Sequence, residues 1–290
     1  HLQPEPANEI RNAVKAFALE HQFDFFNPRD QEGFLRSLMI RNSNRGEFMV
    51  LIQFFRENKA QREAMLEHLK KNFDITSLLY CINSKANDTL YDQEIICYDG
   101  KTSITEEMEG LNFKINAKSF FQTNTEQAYE LYKIARDFAG LKGDELVYDL
   151  YTGTGTIAQF VAKDCRKVVG VESVPEAIEA ARSNAEENSI KNAFFEVGDM
   201  RKVFNQDFIN RHGKADVVIT DPPRNGMHPT VVKQLLFLQP KIIVYISCNH
   251  ATQARDLYLM KEQYRLVCSQ AIDMFPQTQH VENVVLLEKI

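Results

Sequence analysis

No hydrophobic run in these 290 residues approaches the 18 or more apolar positions of a membrane-spanning helix, and no basic leader with an apolar core marks a secretory signal. The chain therefore reads as globular, with no membrane partner. Cysteine is scarce: Cys81, Cys97, Cys165, Cys248 and Cys268 are odd in number and form no C-x-x-C pair. Such a set argues against a disulfide framework, a structural zinc or an iron–sulfur cluster within the chain, and it fits a reducing cytoplasm best. Positive charge is also in deficit, 34 Lys and Arg against 40 Asp and Glu, so the net charge of -6 gives no overall nucleic-acid footprint. Internal repeats and low-complexity tracts are absent. The first residue is histidine rather than methionine, which reads as a segment cut from a longer protein.

What is present is a chain long enough for about two domains, with 44% hydrophobic residues to fill their cores. Its organising stretch is ELVYDLYTGTGT, from Glu145 to Thr156: an apolar strand, an acid (Asp149), then Gly153 and Gly155 at a sharp turn into a helix. Glycine accepts positive φ and admits ligand atoms close to the backbone, and the first N–H groups of a helix are free to point at a ligand. The loop suits a nucleotide-like molecule, although an ordinary strand-to-helix turn has the same local pattern. Ile157 and Ala158 stand where a dinucleotide fingerprint would continue towards its third glycine, and no Gly-Lys-Ser/Thr completes a phosphate loop there.

Three more apolar strands follow, KVVGVE, AFFEVGD and ADVVITDPPR, and they finish on Glu172, Asp199 and Asp221. In an open parallel sheet the ligand crevice lies outside the carboxyl ends of the strands, so all four acids are expected at one edge. The set resembles the Rossmann-like S-adenosylmethionine-dependent methyltransferases. That resemblance implies an α/β fold, Glu172 on the ribose and Asp199 at the adenine end.

The first hundred or so residues read as a mixed α+β unit. A helix is expected near Ala7 to Leu19, a hairpin turning at Asn42-Ser43-Asn44-Arg45-Gly46, a helix near Ala60 to Lys71, and strands at Leu78 to Ile82 and Glu94 to Tyr98. The hairpin region carries Arg36, Arg41 and Arg45 with no acid between residues 33 and 46. These are candidate nucleic-acid contacts, although arginines also blunt solvated sheet edges. A change of character near INAKSFFQTN places the domain boundary, giving 1–116 and 117–290. Capping-box patterns at Thr123-x-x-Glu126 and Ser173-x-x-Glu176 predict two helix starts, the second with Pro175 in its first turn.

The fifth strand, KIIVYISC, ends in Cys248. In isolation a strand-end cysteine is more often a small buried hydrophobe than a nucleophile, but this one falls at the crevice edge. A sixth strand, QYRLVCSQAI, precedes a last one, HVENVVLLEKI. Methyltransferases of this class insert their last strand antiparallel beside the fifth, which would bring Glu282 to the edge of Cys248, with His280 as a structural or substrate-positioning residue. SFFQTN (119–124), DLYTGTGT (149–156), DPPRNG (221–226), SCN (247–249) and HVE (280–282) occur in order. Over about residues 30–290 the chain thereby resembles the RNA uracil-5-methyltransferases, which make 5-methyluridine in tRNA and ribosomal RNA. The resemblance implies S-adenosyl-L-methionine as cofactor, held by Gln122, Tyr151, Gly153, Thr156, Glu172, Asp199 and Asp221. It implies Cys248 as nucleophile and Glu282 as base, Arg224 on a phosphate or a uracil oxygen, and a ribosomal RNA or tRNA partner for a monomer. Thr154 and Thr156 depart from the family's usual loop residues, and the family's N-terminal OB-like module is not in this sequence.

The chemistry accounts for those residue types. Uracil C5 is a poor nucleophile until a thiolate adds to C6 and turns the ring into an enolate, and the C5 proton must then leave before the sulfur can. A base inside structured RNA must first be turned out of its stack. Three rival readings follow from the same residues. An exocyclic-amine methyltransferase would place an aromatic where Arg224 follows the two prolines. A cytosine-5 RNA methyltransferase would share the thiol chemistry. A catalytically silent RNA-binding or assembly protein would be marked by loss of Cys248 or Glu282, and both are present.

Overall fold

A computed structural model of the protein describes residues 3–276 and 278–290. The chain divides into two units, His1–Ser119 and Phe120–Ile290.

The first unit is built on a four-stranded sheet of order β1-β2-β3-β4. Its elements run α1 (Ala7–Glu20), β1 (Leu35–Asn42), β2 (Phe48–Phe54), α2 (Lys59–Asn72), β3 (Ser77–Ile82) and β4 (Ile96–Gly100). β1 and β2 form the expected hairpin, closed by Gly46, which sits at φ 75° and donates its N–H to the Ser43 carbonyl at 3.0 Å. β3 then returns parallel to β2 through α2, whose first turn is capped by Asn58 accepting from the Gln61 amide at 3.2 Å. Ile10, Val14 and Ala18 of α1 and Met65, Leu66 and Leu69 of α2 pack over Val50, Ile52 and Phe54. The strand expected at Glu94 to Tyr98 forms two residues later, because a turn from Leu90 to Gln93, closed by an N–H to carbonyl bond of 3.0 Å, occupies the approach to it. A hairpin of β5 (Ser103–Met108) and β6 (Leu111–Asn116) was not expected from the sequence. Glu109 and Gly110, at φ 50° and 79°, make the left-handed two-residue turn that matches strand twist, without the Asn-Gly or Asp-Gly signature.

The second unit runs α3 (Thr125–Ala139), β7 (Leu146–Leu150), α4 (Thr156–Ala162), β8 (Lys167–Glu172), α5 (Pro175–Glu187), β9 (Ala193–Val197), α6 (Met200–Val203) and α7 (Gln206–His212). It continues with β10 (Val217–Thr220), α8 (Pro229–Leu238), β11 (Ile242–Ser247), α9 (His250–Met260), β12 (Tyr264–Ile272) and β13 (Glu282–Lys289). The strands form one sheet of order β12-β13-β11-β10-β7-β8-β9, in which β13 alone runs antiparallel to its neighbours. This is the Rossmann-like α/β arrangement, with the last strand inserted beside the fifth as expected.

Helices α3, α4 and α5 cover one face of the sheet; α8, α9 and the short α6 and α7 cover the other. On that second face Tyr148, Phe204 and Phe208 stack edge-on and offset, with ring centroids 5.2–6.0 Å apart. Burying each such side chain contributes about 1.5–3 kcal/mol. β10 lies at the centre with β7 beside it, and the chain order reverses between these two strands. The crevice between the ends of β7 and β10 is therefore the place where a sheet of this kind binds its ligand.

Both capping boxes are corrected. α3 starts one residue later than expected, because Asn124, not Thr123, is the cap and accepts from the Gln127 amide at 3.3 Å. α5 has Val174 at its cap and Pro175 at its first position, and Ser173 instead donates its hydroxyl to Glu172 at 2.9 Å.

Candidate active site

The loop after β7 is shaped by three left-handed residues, Tyr151 (φ 63°), Gly153 (φ 54°) and Gly155 (φ 77°). A Cβ at Gly155 would lie 2.7 Å from the Phe195 ring and 2.9 Å from Ala181, so this glycine packs the loop against β9 and α5. A Cβ at Gly153 would meet nothing within 4 Å, so that glycine faces open space.

Asp149 does not face the crevice with the other strand-end acids, which corrects the expectation. Its carboxylate is fully buried beneath the loop, accepting from the Thr152 hydroxyl and from the Ala158 amide at 3.0 Å. The free N–H groups at the start of α4 need an acceptor, and Asp149 supplies it. Burial pushes its carboxyl up to about 7, against the downward pull of those two bonds.

Glu172 is half-buried and tied on both sides. One oxygen accepts from the Ser173 amide at 2.6 Å, the Ser173 hydroxyl at 2.9 Å and the Val174 amide at 3.1 Å; the other accepts from the Gly153 amide at 3.4 Å. Its carboxylate thus stands at the rim of the glycine loop. Asp199 caps α6 by accepting from the Arg201 amide at 2.9 Å and is gripped by the Arg201 guanidinium at 2.7–3.1 Å, which holds its carboxyl down at about 2. Tyr151 is half-buried; burial, and then the nearby carboxylates of Asp256, Asp199 and Glu172, push its phenol up to about 12. The Thr156 hydroxyl is buried 3.4 Å from that of Thr154, and Gln122 lies half-buried three residues before α3. Two residues ahead of Gln122, Phe120 exposes 70% of its surface, an aromatic that the sequence reading passed over.

On the other side of the crevice the antiparallel strand does what the topology requires. Ser247 pairs with Asn283 in the ladder, so Cys248 and Glu282 each adjoin that last pair at the same sheet edge. Asp221 follows the last residue of β10, beside β11. Burial pushes the half-buried Cys248 thiol up, and the charges of Glu282 and Asp221 push it further; Arg224 pulls it down. Burial, then Glu282 and Asp149, raise Asp221 to about 8, and burial raises Glu282. The buried Tyr132 of α3, read from the sequence only as part of an apolar helix face, feels Asp221, Asp149 and Glu282, and its phenol is pushed up, chiefly by burial. The Arg224 guanidinium is exposed and has no ion-pair partner among the described residues. His280 is exposed, its amide bonded to the Thr278 hydroxyl at 3.2 Å.

The hairpin arginines belong to the first unit and are largely engaged there. Arg36 donates to the carbonyls of Asn83, Lys85 and Ala86 at 2.8, 2.5 and 3.4 Å and lies 4.5 Å over the Phe26 ring. Arg41 donates to the Ser119 carbonyl at 2.7 Å, and Arg45, the exposed one, to the Asn112 side chain at 3.0 Å. Among the described residues no group of three or more His, Cys, Asp or Glu is arranged to hold a metal ion, and no helix is long and apolar enough to cross a membrane.

Comparison with known proteins bears on this arrangement. The family model "tRNA (Uracil-5-)-methyltransferase" matches residues 43–290. A protein of Bacteroides thetaiotaomicron named "Uncharacterized RNA methyltransferase" is 57% identical over 99% of this chain, and a protein of the same name from Porphyromonas gingivalis is 56% identical over 99%. The chain spans 64% and 63% of their lengths, under two thirds of each. The crystal structure of Pyrococcus abyssi tRNA (uracil-54, C5)-methyltransferase in complex with S-adenosyl-L-homocysteine superposes with a TM-score of 0.79 at 35% identity, covering 95% of this chain and 65% of that one.

Proposed function

This chain belongs to the tRNA (uracil-5-)-methyltransferase family, and on that premise we propose that it transfers a methyl group from S-adenosyl-L-methionine to C5 of a uridine in structured RNA, tRNA or ribosomal RNA. The observation that carries the reading is the β11–β13 register, whose last pair Ser247–Asn283 brings Cys248, just past β11, and Glu282, at the start of β13, to one edge near Asp221 at the end of β10. A thiol and a carboxylate at one crevice edge are the two groups that addition and elimination at adjacent ring carbons require.

The residues present fit the methyl donor. Gly153 leaves open space at the loop, and Glu172 holds a carboxylate at its rim where ribose hydroxyls would bind. Gln122, Tyr151, Thr156, Asp199 and Asp221 complete the proposed donor site. S-adenosyl-L-methionine supplies an electrophilic methyl group when bound. Cys248 forms the bond from Sγ to C6 of the uracil, and the ring π electrons move toward O4, making C5 nucleophilic. Once C5 carries the methyl group, Glu282 takes its proton; the electron pair re-forms the C5–C6 double bond and Sγ leaves. Burial and the charge of Glu282 hold Cys248 as a thiol in the unloaded site, so its proton passes to a base in the loaded complex as Sγ adds to C6. Arg224, exposed and unpaired, is proposed for a phosphate or uracil oxygen, Phe120 for stacking on a base, and Arg45 for the RNA backbone.

The test is methyl transfer from labelled S-adenosyl-L-methionine to RNA from cells lacking the gene, followed by nucleoside mass spectrometry. Label in 5-methyluridine, absent with Cys248→Ala, is expected. Label in 5-methylcytidine, or no label at all, would overturn the reading.

A further inference from the structure

An ionic network built on one buried carboxylate and a half-exposed guanidinium holds the loop after β10 against α9, and none of the groups assigned above accounts for it. Asp256 of α9 is fully buried. Its Oδ2 accepts from the Met227 amide at 2.7 Å and the Tyr245 hydroxyl at 2.8 Å, and its Oδ1 from Arg255 Nε at 2.9 Å and Nη2 at 2.7 Å. Arg255 Nη2 also donates to the carbonyls of Asn225 at 3.0 Å and Met227 at 3.2 Å. Gly226 fits between them at φ 73°, where a Cβ would lie 2.7 Å from Asp256 Oδ2 and 2.8 Å from Arg255 Nη2. One residue earlier than Asn225, the Arg224 carbonyl accepts from Asn249 Nδ2 at 3.1 Å and Thr252 Oγ1 at 3.3 Å, while Asn249 Oδ1 caps α9.

The two ends of this network are the two halves of the reaction centre. The braced loop begins at Asp221 and carries Arg224; α9 begins at His250, two residues after Cys248. Ordinary loop packing would serve to bury these segments, and an ion pair with one half-exposed partner adds little net stability. What four directed hydrogen bonds to one carboxylate add is a fixed distance and orientation between backbone segments.

We propose that Asp256, with Arg255, is a positioning pair that sets the loop bearing Asp221 and Arg224 against the Cys248 thiol. Neither side chain is assigned a contact with the reacting atoms; they act through the loop. This rests on the reading of Cys248 as the nucleophile. A misplacement of about 1 Å in a reacting pair slows the step on the order of 100-fold. Asp256→Asn keeps an acceptor for the Met227 amide but loses the charge that fixes Arg255. Gly226→Ala strains the same junction from the loop side.

The test uses the full-length protein, saturating S-adenosyl-L-methionine and RNA from cells lacking the gene, in single turnover. Rates are expressed per molecule competent to bind S-adenosyl-L-homocysteine by calorimetry, so unfolded protein does not count. Asp256→Asn and Gly226→Ala are each expected to bind S-adenosyl-L-homocysteine like the parent and to transfer methyl groups more slowly by about 10- to 100-fold. Arg255→Lys is expected to recover part of the rate lost in Arg255→Ala. If Asp256→Asn transfers at the parental rate per competent molecule, or if its only defect is a loss of melting temperature and binding together, the pair is structural and the proposal falls. A parent that transfers nothing to uridine C5 removes the underlying reading as well, so the two failures are told apart by the parent alone.

Discussion

Removing the charge of Glu282 should make Cys248 easier to ionise. Ser247 and Asn283 are the last matched pair of β11 and β13, and continuing that register one step would set Cys248 across from Glu282. In antiparallel geometry their Cβ atoms then lie about 5 Å apart. At that separation and an effective dielectric of about 20, one unit charge interacts with another by about 3 kcal/mol. Both residues are only half-buried, so solvent screening reduces this to about 1–2 kcal/mol, or about one pKa unit. The sign is fixed: a carboxylate disfavours the thiolate, and its charge is one of the causes holding the Cys248 thiol above its ordinary value. In Glu282→Gln the thiol midpoint should therefore fall, and below that midpoint alkylation at Cys248 should speed up about tenfold. The assay is iodoacetamide modification from pH 8 to 10, read by peptide mass spectrometry. Cys81 and Cys165 serve as slow internal controls, because burial pushes both up to about 11. Arg224→Ala should shift Cys248 the other way. An unchanged or raised midpoint in Glu282→Gln would refute the placement of the carboxylate beside the thiol.

Other outcomes follow from the same coordinates. Gly155→Ala should lose about 2–4 kcal/mol in denaturant unfolding, from the left-handed backbone and the overlap with Phe195, and a loss under about 0.5 kcal/mol would contradict the packing role of this glycine. Asp149 titrates at about 7 in the folded chain, above its ordinary 3.8, so the unfolded state binds fewer protons between those values and stability should fall as pH rises from 4 to 7. Asp149→Asn should flatten that fall, by an amount on the order of a few kcal/mol, in a pH series of urea titrations. Glu172→Lys should abolish calorimetric binding of S-adenosyl-L-methionine, for which one site per chain is expected, and unchanged binding would remove Glu172 from the donor site.

The proposed reaction centre is legible because it is written in strand ends. Once the chain was read as an open parallel sheet with an inverted last strand, β-sheet register alone brought residues 248 and 282 together, and no side-chain detail was needed. What sequence could not give was side-chain direction. Asp149 looked like a fourth crevice acid, but the first turn of α4 took its carboxylate as a hydrogen-bond acceptor. Arg36 and Arg41 looked like free cations on a hairpin edge, but carbonyls from residues 83–86 and 119 claimed their guanidinium groups. The β5–β6 hairpin was missed because its turn uses Glu109-Gly110, and helix starts slipped by a residue where Asn124 outcompeted Thr123 as a cap. Asp256 gave no local signal at all, since a lone acid inside an amphipathic helix reads as its solvated face until the loop it binds is in view.

In the proposed reaction Cys248 forms the covalent bond to the uracil and Glu282 releases it. The most direct measurement is reaction of the full-length protein with S-adenosyl-L-methionine and substrate RNA containing 5-fluorouridine, where fluorine blocks the last proton removal. A methylated protein–RNA adduct that survives denaturing electrophoresis and maps to Cys248 is predicted, absent in Cys248→Ala, while Glu282→Gln is predicted to accumulate the corresponding adduct on unsubstituted RNA. Normal turnover by Cys248→Ala, or an adduct on Cys81, Cys97, Cys165 or Cys268, would contradict it.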